Sequence, residues 1–471
     1  MPLILGTNSI KDTTYDVANS LRFDNDSSDS LSRTPSSTSN RRTFTFSTWF
    51  KLSGTDGSFI SAGTDISNGP LFIIDILSGG NEGILRVEDT VGGNNVIGLR
   101  TTRKLRDNSA WMNVVVGIDT TQGTASNRVK VYINGVQETS FGTETYPSQN
   151  LELSMNQNHD HRIGTRAANT SGKFWDGYLC ETVLIDGQQL DATSFGEFDS
   201  DSGIWKPIDV SGLTFGTNGF YLEFKQTGTS QNSSGMGADT SGNDNHFAVS
   251  NLTSVDQSTD TCTNNFATLN PLYPNDGAIT YSEGNLKAVA GSGSTSWTTR
   301  YAFSSIGVSA GRWYMEAKCV DSGGSNQFYF GIAKDIETWS FNSSLGYEDT
   351  GQGWGYYANN GNIVNNQSDL STSGASYTDG DIISMELDLE DMTLDFYKNG
   401  VKQGSQVTSL PAGTYHFAIN GYAAIDGEFN FGSPPYSISS GNTDGNGYGN
   451  FEYSVPSGHY ALNTKNLAEF G

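Results

Sequence analysis

Basic side chains are scarce in this sequence: 26 lysines and arginines stand against 51 aspartates and glutamates over 471 residues, a formal net charge of −25. The acidity is spread over both halves, so neither is an acidic tail. Such a surface repels phosphate backbones and anionic membranes and argues against nucleic acid as a partner. Cysteine is nearly absent. Cys180, Cys262 and Cys319 are widely spaced and odd in number, so neither a disulfide framework nor a CxxC metal knuckle follows from them. No apolar run approaches the roughly 18 residues of a membrane span, and Met1-Pro-Leu-Ile-Leu-Gly6 lacks the basic region of a signal peptide. The expectation is a protein made in a cytoplasm without membrane insertion. Helix-period patterns are almost missing, as are a Walker loop, a dinucleotide fingerprint, a Gly-x-Ser-x-Gly elbow and an HExxH pair.

What the chain has instead is glycine, 56 of them, and an aromatic content of 11%. Short aromatic and β-branched runs broken by Gly, Asn, Asp and Ser are the pattern of antiparallel sheets with many turns. Thr43-Phe-Thr-Phe-Ser-Thr-Trp-Phe50 alternates with a period of two. Val129, Val131 and Ile133 share one face of a strand that enters an Asn134-Gly135 turn, and a second strand from Leu394 enters Asn399-Gly400; Asn-Gly is the strongest short-range hairpin signal. The reading is all-β: two antiparallel sandwiches joined by a long ordered connector. The expected division is a polar N-terminal segment over 1–41, a first sandwich over 42–225, a connector over 226–284, a second sandwich over 285–435 and a C-terminal extension over 436–471.

Residues 42–200 resemble the concanavalin A-like, laminin G-like jelly rolls through Phe46-Ser-Thr-Trp49, Trp111-Met-Asn-Val-Val-Val116, Val131-Tyr-Ile-Asn-Gly135 and Phe174-Trp-Asp-Gly-Tyr178. Residues 285–432 resemble a SPRY domain through Gly311-Arg-Trp-Tyr-Met-Glu316, Phe330-Gly-Ile-Ala333, Leu394-Asp-Phe-Tyr-Lys-Asn-Gly400 and Phe429-Asn-Phe-Gly432. The joining pieces Ile185-Asp-Gly-Gln-Gln-Leu190, Thr263-Asn-Asn-Phe-Ala-Thr-Leu-Asn-Pro271 and Tyr460-Ala-Leu-Asn-Thr-Lys-Asn-Leu467 are similar to segments of tail-fibre and other virion proteins of tailed phages. These resemblances imply a virion structural protein, with other virion proteins and a host-surface glycan or protein as partners. Phage fibres are usually trimeric, which implies a homotrimer, although no heptad or β-helix repeat is present from which to read one. The alternatives are an architectural capsid knob, decoration or tail component, and a polysaccharide-cleaving enzyme.

The enzyme reading rests on Glu386-Leu-Asp388-Leu-Glu390. Alternation would place its carboxylates on one face, as in retaining β-glucanases built on a concanavalin A-like sandwich. Against it, Ile383, Met385, Leu387 and Leu389 form the complementary apolar face that any sandwich strand requires, so no catalytic residue is assigned. His159-Asp-His161 could offer two imidazoles to a metal but has no third ligand, and reads as a solvated polar loop. His246, His416 and His459 read as packed or capping. Trp49, Trp111, Trp175 and Trp313 fall in strand patterns and read as core. Asp56, Asp65, Asp75 and Glu82 lie near turns, and laminin G-like rims can hold calcium, but no EF-hand spacing appears and no cofactor is assigned. The ligand-binding assignment goes to the loop Asp335–Tyr347, whose Trp339, Phe341 and Tyr347 are embedded in polar residues. Aromatics on loops stack on sugars or fill peptide clefts.

Overall fold

The computed structural model describes residues 14–64, 69–167, 173–273, 279–290, 297, 300–321, 326–339, 343–422 and 425–471. Its contacts divide the chain into a unit of residues 12–263 and a unit formed mainly by 264–471.

The first unit is a two-sheet sandwich. One sheet runs in the order Val136–Glu138, Val129–Ile133, Trp111–Asp119, Thr43–Leu52, Gly177–Asp186, Ser20–Phe23, Gln257–Ser258. The other runs Phe141–Thr145, Asn94–Lys104, Ile84–Val91, Leu71–Ile76, Gly57–Gly63, His161–Ile163, Ser30–Arg33, Ala248–Ser250. The period-two pattern works as expected. Phe44, Phe46, Phe50, Val129, Val131 and Ile133 point into the shared core, while Trp49 and Val115 point out and are covered by Phe195, Trp205 and Phe215. Asn134 and Gly135 both have positive φ, 47° and 77°, and join Ile133 to Val136 in a two-residue hairpin.

The boundaries differ from the expected division. Ser20–Phe23 and Ser30–Arg33, read as polar N-terminal segment, are interior strands of the two sheets, and two connector strands, 248–250 and 257–258, flank them. Their polar residues are covered rather than solvated: Arg22 is fully buried and pairs with Asp256 at 3.1 Å. Four-residue strands that bury both faces give no alternation to read.

The second unit repeats the architecture with different connectivity. One sheet has the order Ile279–Ser282, Lys287–Ala290, Ile425–Asn430, Arg312–Asp321, Ile382–Asp388, Thr393–Lys398, Val401–Val407, with Tyr460–Ala461 added in parallel to Arg312–Asp321. The other has the order Tyr301–Phe303, Tyr415–Gly421, Phe328–Lys334, Gly353–Tyr357, Ile363–Asn365, Ser368–Ser371. Trp313, Met315, Phe330, Ile332, Ile383, Met385, Leu387 and Phe417 fill the space between them. A helix, Thr464–Phe470, is capped by Asn463, whose side chain accepts from the Asn466 amide.

Candidate ligand-binding site

The outer face of the six-stranded sheet is built in cross-strand rows. One row reads Tyr357, Tyr329, Asn420, Tyr301; the next reads Gly355, Gly331, Ala418, Phe303. A row of small residues on a strand face lets another backbone lie directly upon it. The loop carrying Leu345 does this: a Cβ at Gly353 would come within 2.9 Å of the Gly346 nitrogen, and one at Gly355 within 2.9 Å of the Leu345 carbonyl oxygen. Glu348, fully buried, holds the loop down by accepting from the amides of Gly346 at 2.7 Å and Gly353 at 2.5 Å. Burial raises its carboxyl above the usual range.

Asn420 spends its whole amide on this face. Its Oδ1 accepts from the Leu345 amide at 3.0 Å, and its Nδ2 donates to the carbonyls of Trp297 at 3.0 Å and Arg300 at 3.1 Å. Trp297 is thereby set beside Tyr422, Tyr329 and Tyr357, with ring centroids 5.3, 5.4 and 6.4 Å away. Tyr329 and Tyr357 stack at 4.4 Å. Trp297, Tyr357, Tyr422 and Tyr347 remain half-buried. At the edge, the exposed Asp369 accepts from the Tyr347 hydroxyl at 3.1 Å and from Asn362 Nδ2 at 2.8 Å. This is an aromatic platform with hydrogen-bonding groups at its margin.

The loop assigned from sequence lies here, but its residues divide. Tyr347 is on the platform. Trp339 is 7% exposed and packs edge-on against Tyr301 and Phe303, at 5.5 and 5.6 Å, so it covers the sheet instead of facing a ligand. Phe341 lies outside the described residues. Trp297, Tyr357 and Tyr422 were missed; the signal for them was the glycine spacing at 331, 353 and 355, which marks a covered sheet face.

Glu386 and Asp388 do share the outward face of the other sheet, opposite Ile383, Met385 and Leu387. The strand ends at Asp388, however, and Glu390 falls in the following turn. Arg312 gathers Asp388, Glu390 and Asp391 at 2.8, 3.1 and 3.2 Å. Alternation therefore stops before the third carboxylate, and two of the three serve an ion-pair network rather than an acid and nucleophile pair. Glu386 alone faces a cavity of about 450 Å³ lined by Tyr314, Ser384, Tyr397, Gly400 and Tyr453.

His159 and His161 are 9% and 1% exposed, so their loop is not solvated. His161 Nδ1 donates to the His159 carbonyl at 2.8 Å and its Nε2 accepts from the Asn156 amide at 3.1 Å, which fixes a neutral ring with no lone pair left for a metal. Burial pushes its pKa down to about 3. His416, also buried, bonds the Ser304 carbonyl at 2.8 Å. Trp49, Trp175 and Trp313 are buried in the cores, whereas Trp111 is half-buried and donates to Asp260 at 2.9 Å.

Those of the residues considered for calcium that the structure describes have other partners. Asp75 is fully buried under Arg86, at 2.6 Å, and Arg166, at 2.9 Å. Asp56 pairs with Lys173, and Glu82 accepts from the Gly80 amide at 2.8 Å. Asp65 lies outside the described residues. Among the described residues no group of three or more His, Cys, Asp or Glu could hold a metal ion.

Comparison with known proteins matches residues 25–190 to the concanavalin A-like lectin/glucanases superfamily and residues 312–434 to the SPRY domain. A Ran-binding proteins 9/10 homolog of Drosophila melanogaster is 27% identical over 133 residues, 28% of this chain. The match spans 13% of that relative's length. Among solved structures, the SPRY domain of human HERC1 is 24% identical, covering 32% of this chain and 91% of its own, with a TM-score of 0.28. A putative carbohydrate binding protein from Bacteroides ovatus is 14% identical, covering 50% and 58%, with a TM-score of 0.32. Both kinds of domain are typically binding modules rather than catalytic ones. The nearly all-β chain thus carries a concanavalin A-like, laminin G-like domain followed by a SPRY domain.

Proposed function

We propose that the protein is a non-catalytic binding protein, an exposed component of a tailed-phage virion, and that the platform of Trp297, Tyr357, Tyr422 and Tyr347 holds a host-surface glycan. The observation that carries this reading is the set of half-buried rings fixed on one sheet face, with Asp369 and Asn362 at their edge. Sugar C–H faces stack on such rings, and a carboxylate with two bonds made keeps lone pairs for hydroxyl groups. The virion assignment is supported by the joining segments that resemble phage structural proteins. The architectural alternative required the N-terminal segment or the Thr263–Pro271 connector to dock on neighbours. Ser20–Phe23 and Ser30–Arg33 are instead paired within their own sheets, and the amides of Ala267 and Leu269 donate to the carbonyls of Leu462 and Asn285.

The test is binding of the purified chain to a glycan array and to host cells, with Trp297→Ala and Tyr357→Ala alongside. Specific binding lost in both variants, with circular dichroism unchanged, is expected. Absence of binding, or binding indifferent to both substitutions, overturns the reading.

A further inference from the structure

The outer face of the eight-stranded sheet in the second unit carries a pocket that the platform does not involve. Register puts Tyr314 opposite Glu386 and Glu386 opposite Asp395; the adjacent row is Glu316, Ser384, Tyr397. These six side chains form a floor, and a strap at residues 451–456 crosses it. Glu316 fastens the strap. Fully buried, it accepts from the amides of Glu452 at 2.9 Å and Tyr453 at 2.8 Å, from the Tyr314 hydroxyl at 3.0 Å and from Asn430 at 3.3 Å. Tyr453 is thereby laid against the Asn399-Gly400 turn, where a Cβ at Gly400 would come within 2.7 Å of its ring. Between strap and floor remains the cavity of about 450 Å³, within the range of small-molecule sites, roughly 300–1,000 Å³.

The charges around this pocket are unequally matched. Lys402 is taken by Asp395 at 2.8 Å, Lys398 by Asp381 at 3.0 Å, and Arg312 by Asp388, Glu390 and Asp391. Glu386 has no ion-pair partner among the described residues, and burial raises its carboxyl above the usual range, with Tyr397 bonding it in opposition. The Ser384 hydroxyl is buried on the floor beside the Tyr314 hydroxyl. An anion would be repelled by Glu386. A small hard metal ion would need several oxygen ligands where one carboxylate is offered. Tyrosine faces with a single carboxylate suit a large, weakly hydrated cation, whose methyl or methylene groups replace water against the rings.

We propose that this pocket binds an organic ammonium group, held by the faces of Tyr397 and Tyr453 and by the carboxylate of Glu386. The group can come from a free choline-type molecule or from a lysine or methylated-lysine side chain of a protein.

The experiment is calorimetric titration of the full chain with choline, with a trimethyllysine peptide and with 3,3-dimethylbutan-1-ol, the uncharged isostere of choline. At least one of the two cations is expected to bind, with the isostere weaker by roughly tenfold or more. Choline alone would identify a free small molecule, and the peptide alone a protein tail. Glu386→Gln and Tyr397→Leu are expected to weaken the cation, each by roughly tenfold, whereas Trp297→Ala leaves it unchanged, which separates this site from the glycan platform. Failure of both cations to bind, equal binding of the isostere, or full affinity in Glu386→Gln overturns the proposal; the isostere comparison stands even where a variant fails to fold.

Discussion

The sulfur atoms of Cys180 and Cys262 stand 3.5 Å apart, although 82 positions separate them in the chain. A β-bulge follows Cys180. Between Cys180 and Val183 the register with Thr43–Leu52 slips, and Glu181 takes φ of 49°. Two consecutive side chains, Cys180 and Glu181, then face outward together. The segment that follows Gln257–Ser258 lays Cys262 over the first, and Tyr221 and Tyr15 bond the second, at 2.5 and 2.9 Å.

This geometry predicts disulfide formation when the reduced protein is incubated with oxidised glutathione, the thiols passing their electrons to the added disulfide. Labelling after denaturation should then find Cys319 as the remaining thiol. Closing a loop of this length should raise stability by up to roughly 4 kcal/mol. Burial pushes both thiols above their ordinary value, so reaction should be slow at neutral pH and faster in alkali. Unchanged labelling of all three thiols would refute it.

Glu181 should make stability depend on pH. Burial, opposed by the bonds from Tyr221 and Tyr15, raises its carboxyl from 4.5 to about 7. A group whose folded pKa is raised contributes stability fully present below its unfolded pKa and lost as pH rises through the folded value. Between pH 4.5 and about 7, stability should therefore fall by about 3 kcal/mol from this group. Urea unfolding across that window should show the fall, and Glu181→Gln should flatten it.

Glu316→Ala should strip four donors of their acceptor and release the strap. A loss of about 3 kcal/mol is expected, because buried donors left unpaired pay their desolvation in full. Limited proteolysis should cut first between residues 439 and 456. Glu316→Gln should lie between wild type and alanine, since its amide oxygen replaces one acceptor while its NH2 faces other donors.

Trp339→Ala should behave as a core deletion, not as the loss of a contact residue. Removing a ring packed on Tyr301 and Phe303 should cost about 3–5 kcal/mol. Trp297→Ala should cost much less and act on glycan binding. Asn420→Ala should couple the two effects, lowering stability and mis-setting Trp297, with near-ultraviolet circular dichroism reporting the disturbed ring environment. Equal stability of the Trp339 and Trp297 variants would contradict this assignment.

Local pattern carried much of the fold. Period-two alternation in Thr43–Leu52 and Ile382–Asp388 and the two Asn-Gly pairs follow from side-chain direction and from φ preference, which act over a few residues and are legible without the rest of the chain. The candidate catalytic strand was legible to the same extent: its faces were right, and its third carboxylate was displaced only because the strand ended at Asp388. What alternation cannot say is what covers an outward face. Trp339 and the histidine pair look exposed in sequence because their neighbours are polar, yet Trp339 packs on Tyr301 and Phe303, and the imidazoles close on Ser154, Asn156 and one another.

By itself the sequence determined the all-β class, the two sandwiches and the hairpin turns, because each depends on neighbours in the chain. Tertiary structure alone decided that residues 20–33 and 248–258 complete the first sandwich, that Cys180 meets Cys262, and that Trp297, Tyr357 and Tyr422 share one surface. Those arrangements join residues tens to hundreds of positions apart. Their register is set by bulges, glycine rows and buried hydrogen bonds whose partners no local pattern names.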